Sequence, residues 1–254
     1  MIKVKNEDKY IKLFEEYTHN IPVIYSSLEG QYEGELYVDN EEDPQVAILF
    51  TPFAFHYVAG NANRADVIDV VEDMIFKQYL HKTEQNEAIV FAPNEKWNEI
   101  LDEVFKRYKG IKDKRMIFRL NKEKFNEQQK QKKVISDIEN RICFEKENAS
   151  QKEYPVSRIY IDQKSVSFCS GFMLGKGHAE INVNTEEEYR GKGFAKEAAF
   201  KLINELLNNG IEPDWCTWPY RMESRKLACS LGFELVEEIP THIWVESECG
   251  KILN

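Results

Sequence analysis

The sequence has few of the residues that mark secreted, metal-binding or membrane-spanning chains. Its 254 residues include five cysteines without CxxC spacing and five histidines, none in an HExxH arrangement. A disulfide framework and a zinc or other metal site are therefore not expected. No run approaches the ~18 apolar residues that cross a bilayer, and the beginning, MIKVKNEDKY, lacks the apolar stretch of a signal peptide. We therefore expect a cytoplasmic protein.

The cysteines are scattered, and we expect buried free thiols. They are Cys143, Cys169, Cys216, Cys229 and Cys249.

Positively charged residues are also scarce, because the chain has 34 Lys and Arg against 44 Asp and Glu, which gives a net charge of −10. This balance disfavours wholesale binding to nucleic acid or to an anionic membrane surface, so we expect neither as a partner.

The length and composition predict two folded domains of mixed α/β type. Hydrophobic residues make up 42% of the chain, enough for a real core, and 254 residues is about the length of two modest domains. The polar run NKEKFNEQQKQKK at 121–133 is the best candidate for a linker or a solvated helix between them. We therefore predict an N-terminal α/β domain over 1–125 and a second domain over 126–254.

The N-terminal half alternates helical and extended patterns. QYEGELYV predicts a strand, and QVAILF running on through TPFAFHYVAG predicts a buried strand region. Asn94 predicts the start of a helix that contains Trp97, and Gly110 predicts its end. This half contains no phosphate loop, nucleophile elbow or metal cluster, and the chain has no internal repeat that we recognise in its sequence.

The segment 178–233 carries a pattern typical of an anion-binding site. HAEINVNT predicts a strand on which His178 and Glu180 share the face that can line a cleft. In the next turn, Gly191 and Gly193 let ligand oxygens approach the main chain, and the N-terminus of the following helix favours negative charge. The basic side chains around this turn are Arg190, Lys192 and Lys196. The pattern predicts a site for a pyrophosphate.

Two common nucleotide motifs do not fit this turn, because neither a Walker A loop nor the dinucleotide fingerprint is present. RGKGFA instead matches (Q/R)xxGx(G/A), which closes the pyrophosphate loop in the GNAT superfamily of acetyl-CoA-dependent N-acetyltransferases. A strand at WCTW and then SRKLACSLGFE follow in the order of that superfamily. The chain therefore resembles a GNAT protein over roughly residues 156–246. The resemblance implies a C-terminal GNAT fold, with a mixed central sheet flanked by helices, after an N-terminal mixed α/β domain.

Further motifs narrow the resemblance. AEIxVxT before YRGKGFA and the PxWxxxxxxxxSxxLAxxLGF continuation look most like the two-domain group that includes the zwittermicin A resistance protein. AGNAN and the helix around Trp97 are similar to that group's N-terminal domain.

The resemblance also implies acetyl-CoA as cosubstrate and a set of residues to bind it. The splayed end of a strand would offer main-chain groups to the pantetheine and acetyl groups, and the glycine turn would hold the pyrophosphate. Arg221 stands where members of the superfamily often have an asparagine, and it would pair with a CoA phosphate. Ser224 would either cap its helix or hydrogen-bond the cofactor. The implied residues are Val183, Asn184, Thr185, Arg190, Gly191, Lys192, Gly193, Phe194, Ala195, Lys196, Arg221 and Ser224.

Amine acetylation needs an uncharged nitrogen, stabilisation of an oxyanion and a proton for the departing thiolate. The resemblance implies direct transfer without a covalent enzyme intermediate. Glu180 and His178 are the candidates to accept the amine proton, directly or through water, and a structural role is the alternative for each. Ala228 stands where many members of the superfamily have a tyrosine acid, so the general acid is open between water and another tyrosine such as Tyr220. Cys216 has no legible His or acid partner, so we do not expect an acyl-carrying thiol.

These inferences predict an N-acetyltransferase that acts on the amine of a small molecule, with a homodimer left open. The alternative is a CoA-binding sensor or interaction module without catalysis, which Ala228 and the unusual Arg221 favour.

Overall fold

The computed structural model describes residues 1–5, 8–146 and 152–246. The chain forms two compact units, of which the first comprises Met1–Thr18, Glu33–Lys114 and Pro240–Asn254, and the second His19–Tyr32 and Arg115–Ile239. Each unit draws on segments from both sides of residue 125. The predicted domain boundary at that position stays a prediction.

Both units mix helices and strands, which confirms the predicted fold class. The elements in chain order are β1 (Ile2–Val4), α1 (Asp8–Ile11) with a 3₁₀ turn (Lys12–Phe14), α2 (Ile21–Leu28), β2 (Glu35–Val38), β3 (Val46–Phe50), β4 (Phe55–Gly60), α3 (Val67–Glu72) with a π-helical continuation (Asp73–Tyr79), α4 (Leu80–Thr83), β5 (Glu87–Phe91), α5 (Glu95–Arg107), β6 (Ile111–Leu120), α6 (Lys122–Lys130), β7 (Glu139–Glu145), β8 (Tyr154–Ile161), β9 (Lys164–Gly175), β10 (His178–Thr185), a 3₁₀ turn (Glu187–Tyr189), α7 (Phe194–Asn208), β11 (Glu212–Thr217), α8 (Met222–Ser230) and β12 (Phe233–Val245). Within the described ranges, none of these helices combines the length and apolarity needed to span a membrane.

The sheet of the first unit runs in the order β1, β2, β3, β4, β5 and then the second half of β12. The first four strands pair antiparallel, β5 lies parallel to β4, and β12 lies antiparallel to β5. The buried strand region predicted over 45–60 is confirmed, and it consists of two strands because the chain turns between β3 and β4. The Thr51 hydroxyl stabilises this turn, since it lies 2.8 Å from the carbonyl oxygen of Phe53 and 2.7 Å from that of Phe55.

Helix α5 begins where the sequence predicts. The Asn94 side chain accepts a hydrogen bond from the Trp97 backbone N–H at 3.1 Å, which caps the helix. Its end differs, because Lys109 takes the left-handed conformation (φ 58°) that the sequence assigns to Gly110. Gly110 is needed for its size instead: a Cβ there would lie 2.8 Å from the Phe105 ring.

The second unit repeats the topology of the first. Strands β7 to β10 pair antiparallel, β11 lies parallel to β10, and β6 lies antiparallel to β11. In each unit, the strand beyond the parallel pair comes from the other half of the chain. β8 and β9 form a hairpin, with Asp162 (φ 48°) and Gln163 (φ 66°) in its turn. The structure thus contains a repeated topology that the sequence does not reveal.

The polar run at 121–133 is not a linker. Asn121 caps α6 by accepting from the Lys124 N–H at 3.1 Å, and Phe125 is buried in the core of the second unit, 5.4 Å from the Phe200 ring. A Cβ at Gly232 would lie 2.5 Å from the Phe125 backbone nitrogen, so the fold requires glycine there. One aromatic side chain therefore fixes a helix whose remaining residues are polar.

The four cysteines within the described residues are free thiols. Cys169 is fully buried, as predicted, whereas Cys229 is exposed, so the prediction is wrong for that residue. Cys249 lies outside the described residues.

Candidate functional site

A cavity opens in the second unit where its two parallel strands separate. β10 and β11 pair from His178 and Glu212 to Glu180 and Asp214. Beyond that point β10 remains paired with β9, and β11 with β6, so the two strands diverge. The cavity measures about 690 Å³, and residues 181–185 of β10 and 215–218 of the β11 end form two of its walls.

The turn between β10 and α7 forms another wall. Gly191 (φ 75°) and Gly193 (φ 87°) both take the left-handed conformation, which side chains disfavour. A Cβ at Gly191 would meet nothing within 4 Å, so this position needs glycine for its backbone and not for space. Gly193 is the N-cap of α7 and offers no capping side chain, which leaves the first N–H groups of the helix available to a ligand. The turn therefore has the geometry of an anion site.

The charge of the cavity wall is mainly positive. The basic residues that line it are Arg115, Arg190, Lys196 and Arg221, whereas Glu223 is the acidic residue on this wall. The Arg190 side chain donates from Nε to the carbonyl oxygen of Thr185 at 3.3 Å, which holds it beside the turn. Positive side chains and a helix N-terminus together favour an anionic ligand.

Most of the residues that the sequence assigns to the cofactor meet at this cavity. All of them line it except Lys192, whose ammonium lies 4.8 Å from the centre of the Tyr189 ring. Their roles in binding stay predictions.

The start of α8 differs from one of the sequence expectations. Arg221 occupies the N-cap position, so the capping role considered for Ser224 is wrong. The Ser224 hydroxyl instead accepts a hydrogen bond from the indole N–H of Trp215 at 3.1 Å. Ala228 is fully buried, while Tyr220 is 66% exposed and stacks on Trp218 at 6.2 Å. The general acid stays open.

Beside the cavity, three neighbouring strands place polar side chains on one face of the sheet. Strand register and alternation put these residues together, and we call them the polar face: Arg115 and Arg119 of β6, Asp214 and Cys216 of β11, and His178 and Glu180 of β10. The opposite face carries apolar residues such as Ala179 and Trp215, which belong to the core under α7 and α8. Our sequence reasoning missed Arg115, Arg119 and Asp214, although the four-residue spacing of the two arginines in RMIFR already places both on one face of a strand.

Glu180 is buried in the polar face. Burial raises the pKa of its carboxyl to about 8. The positive charges of Arg115 and Arg119 act against this rise in pKa, and the charge of Asp214 adds to it. Its Oε2 atom has no hydrogen-bond partner among the described residues. Glu180 and His178 lie outside the cavity lining, which begins on β10 with the next residue, Ile181. A water molecule would therefore have to connect the Glu180 carboxyl with a substrate in the cavity.

Asp214 links the other members of the polar face. Its Oδ1 atom accepts from Arg119 Nη1 at 2.7 Å and lies 3.2 Å from His178 Nδ1. Its Oδ2 atom, like Oε2 of Glu180, lacks a hydrogen-bond partner within the part of the chain that the structure describes.

Cys216 is unsuited to carry an acyl group. Burial raises the pKa of its thiol to about 12, which Arg115 partly opposes, so the nucleophilic thiolate is scarce at neutral pH. The Sγ atom accepts from Arg115 Nε at 2.9 Å.

The first unit has a comparable strand separation, which one of its own side chains fills. β4 and β5 pair as far as Tyr57 and Phe91. Just beyond, the Tyr17 hydroxyl lies 2.8 Å from the carbonyl oxygen of Val58 and 2.9 Å from that of Phe91. The hydroxyl thus bridges the diverging strands, in the place where the second unit has its cavity.

Metal binding has no support in the side chains. Over residues 1–5, 8–146 and 152–246, no three His, Cys, Asp or Glu residues come together in a way that could hold a metal ion.

Comparisons with known proteins agree with this geometry. A family model described as GNAT acetyltransferase matches residues 11–154 and 157–242. A Bacillus subtilis (strain 168) protein named uncharacterized N-acetyltransferase YdfB is 25% identical, over an alignment that covers 93% of this chain and 92% of that protein.

Two solved structures show the same fold. A GCN5-related N-acetyltransferase-like protein from Streptococcus suis 89/1591 has a TM-score of 0.65 and 22% identity, over 93% of this chain and 97% of its own. A tandem GNAT protein from the clavulanic acid biosynthesis pathway has a TM-score of 0.66 and 9% identity, over 97% of this chain and 98% of its own.

Proposed function

Because the chain belongs to the GNAT acetyltransferase family and is an N-acetyltransferase, we propose that it transfers the acetyl group of acetyl-CoA to an amine by direct attack on the thioester. The proposal rests on the cavity where β10 and β11 diverge. This cavity is lined by the ends of both strands and by the basic turn at the N-terminus of α7. The strand gap suits an extended chain, and the turn suits a pyrophosphate.

In this proposal the cosubstrate lies along the cavity. The backbone of Val183, Asn184 and Thr185 binds the pantetheine and acetyl carbonyl groups, since these residues line the wall without a β11 partner. The residues of the turn, Arg190, Gly191, Lys192, Gly193, Phe194, Ala195 and Lys196, hold the pyrophosphate chiefly through N–H groups and positive charge. Arg221 and Ser224 also line the cavity, and Arg221 pairs with a phosphate of CoA.

Glu180 is the proposed acceptor of the amine proton, acting through water. A carboxyl with a pKa near 8 is a better proton acceptor at neutral to basic pH than an ordinary carboxylate. The nitrogen then attacks the thioester carbon as the C–S bond breaks. A thiol pKa raised to about 12 makes a relay through Cys216 unfavourable, which supports direct transfer.

The proposed acceptor is a small molecule with a cationic amine, in line with the acidic chain. Membership of the two-domain group that includes the zwittermicin A resistance protein, supported by AEIxVxT and PxWxxxxxxxxSxxLAxxLGF, favours such an acceptor over a protein tail. A cytoplasmic location completes the proposal.

The test is turnover of acetyl-CoA with a panel of small amines, read as release of free CoA thiol. Gly193→Glu should abolish turnover, because the new carboxylate repels phosphate at the turn. Gly210→Glu is the matched control, since Gly210 also has a positive φ (71°) and open space around it, but lies at the other end of α7. Equal loss in both variants, or CoA binding without turnover for any amine, would overturn the proposal in favour of a CoA-binding sensor.

A further inference from the structure

Acetylation of a cationic amine releases one net proton. The ammonium group loses two protons as its nitrogen becomes an amide nitrogen, and the CoA sulfur keeps one of them as the thiol. The second proton must reach solvent in every turnover. A buried carboxyl that accepts this proton needs a route to pass it on.

Glu180 has a carboxyl neighbour that offers such a route. It lies directly opposite Asp214 in the parallel register of β10 and β11, so the two side chains share one face of the sheet. Both are buried, at 9% and 4% exposure. Each carries one oxygen, Oε2 and Oδ2 respectively, without a hydrogen-bond partner among the described residues. A proton on Glu180 therefore has an acceptor atom without a partner on the neighbouring strand.

His178 connects this carboxyl pair with solvent. Its Nδ1 atom lies 3.2 Å from Asp214 Oδ1, and its side chain is 28% exposed. Arg119 holds the same Asp214 oxygen from the other side, at 2.7 Å. The imidazole can accept a proton at Nδ1 and release another from Nε2 to water, whereas the carboxyls have no comparable exposure.

Resting on the proposed function, we propose that Asp214 and His178 are positioning residues that form the proton exit of this site. The ammonium N–H bond breaks, and water delivers its proton to Glu180. The proton moves to Asp214 and then to His178 Nδ1, which forms the imidazolium, and His178 Nε2 releases a proton to solvent. Proton exchange with water then returns the ring to the Nε2–H tautomer. Glu180 returns to the carboxylate for the next turnover.

Other charged groups around Glu180 set the pH range of this exit. Arg115 and Arg119 of β6 stabilise its carboxylate, and Asp214 of β11 opposes it. Cys216 of β11 also lies in this cluster, beside the Asn20 amide that precedes α2. Met173 of β9 stands opposite Glu180 on the remaining side. Turnover should therefore rise with pH as Glu180 ionises.

The test compares His178→Ala and Asp214→Asn with the wild type and with Glu205→Gln, which removes a carboxylate from α7, on the opposite side of the sheet. We expect roughly tenfold or greater loss of kcat in the first two, with KM for acetyl-CoA unchanged, because a proton transfer contributes about 10²–10⁴ in rate. Added imidazole buffer should restore kcat of His178→Ala in proportion to its concentration. Unchanged kcat, or a loss that imidazole does not repair, would overturn the proposal.

A second measurement separates this proposal from the acetyltransferase activity itself. If the wild type turns over no amine, the proposed function fails, while the carboxyl pair can still be followed by NMR of ¹³C-labelled glutamate carboxyls. Asp214→Asn should shift the Glu180 titration to lower pH, because it removes a neighbouring negative charge. An unchanged Glu180 titration in a folded Asp214→Asn protein would overturn the proposed coupling.

Discussion

Gly191→Ala separates the two roles of the glycine turn, because its effect on stability and its effect on cofactor binding have different origins. Gly191 has φ 75° with open space around its Cα, so alanine adds backbone strain without a steric clash. That strain costs about 1 kcal/mol, which lowers the Tm by roughly 2–4 °C for a chain of this size.

The same strain should also weaken CoA, because Gly191 lies in the wall of the cavity. Relief of the strain turns the peptide N–H groups of the turn away from the cavity. CoA binding must then restore the strained turn, which costs up to about 1 kcal/mol and corresponds to roughly fivefold weaker binding.

Gly210→Ala is the control, because Gly210 (φ 71°) has the same conformation and the same open space at the far end of α7. Both variants should lose similar Tm, and only Gly191→Ala should lose affinity in a calorimetric titration with CoA. Wild-type affinity in Gly191→Ala, or an equal loss in both variants, would refute the placement of the pyrophosphate at this turn.

Four more substitutions test separate parts of the structure. Arg190→Ala should weaken CoA by roughly ten- to a hundredfold by calorimetry, and unchanged affinity in a folded variant would contradict its phosphate role. The raised pKa of Glu180, about 8, means that the native state binds more protons than the unfolded state above pH ~4.3, so stability falls as pH rises towards 8. Urea unfolding of Glu180→Gln should lack this fall, and an identical pH dependence in both proteins would exclude a raised pKa. Cys216→Ala should retain its acetyl-transfer activity. A variant that binds CoA but no longer transfers acetyl groups would indicate an acyl-enzyme. Tyr17→Phe should lower the free energy of unfolding by about 1–3 kcal/mol, because two buried carbonyl groups lose their shared donor; a change below experimental error would show that the hydroxyl does not stabilise the strand gap.

The sequence predicts much of the second unit because short-range signals and the fold agree there. The turn around Gly191 and Gly193 needs positive φ, which glycine provides, and the same residues form the wall of the cavity. The cap at Asn94 is equally local, since its side chain bonds a backbone group three residues on.

Other features depend on residues far apart in the chain, so local patterns miss them. Phe125 looks isolated in a polar run, and only the distant Phe200 and Gly232 explain why its helix is packed. Arg119 and Asp214 are separated by 95 residues, and the pairing of β6 with β11 brings them together. The exchange of last strands between the two halves of the chain is invisible to any local pattern.

The repeated topology raises the question of how many cofactor sites the chain has. The two units share one strand pattern, but the Tyr17 hydroxyl bridges the strand gap in the first unit. The gap in the second unit is lined by the basic turn and the start of α7. Cofactor binding is therefore expected in the second unit alone.

Isothermal titration of the purified protein with CoA, ATP and NAD in turn tests the central claim most directly. We predict that CoA binds with a stoichiometry of one per chain, and that ATP and NAD bind far more weakly or not at all. Two CoA molecules per chain would contradict the account of the first unit. Preference for ATP or NAD, or no binding of CoA, would contradict the assignment of the cavity itself.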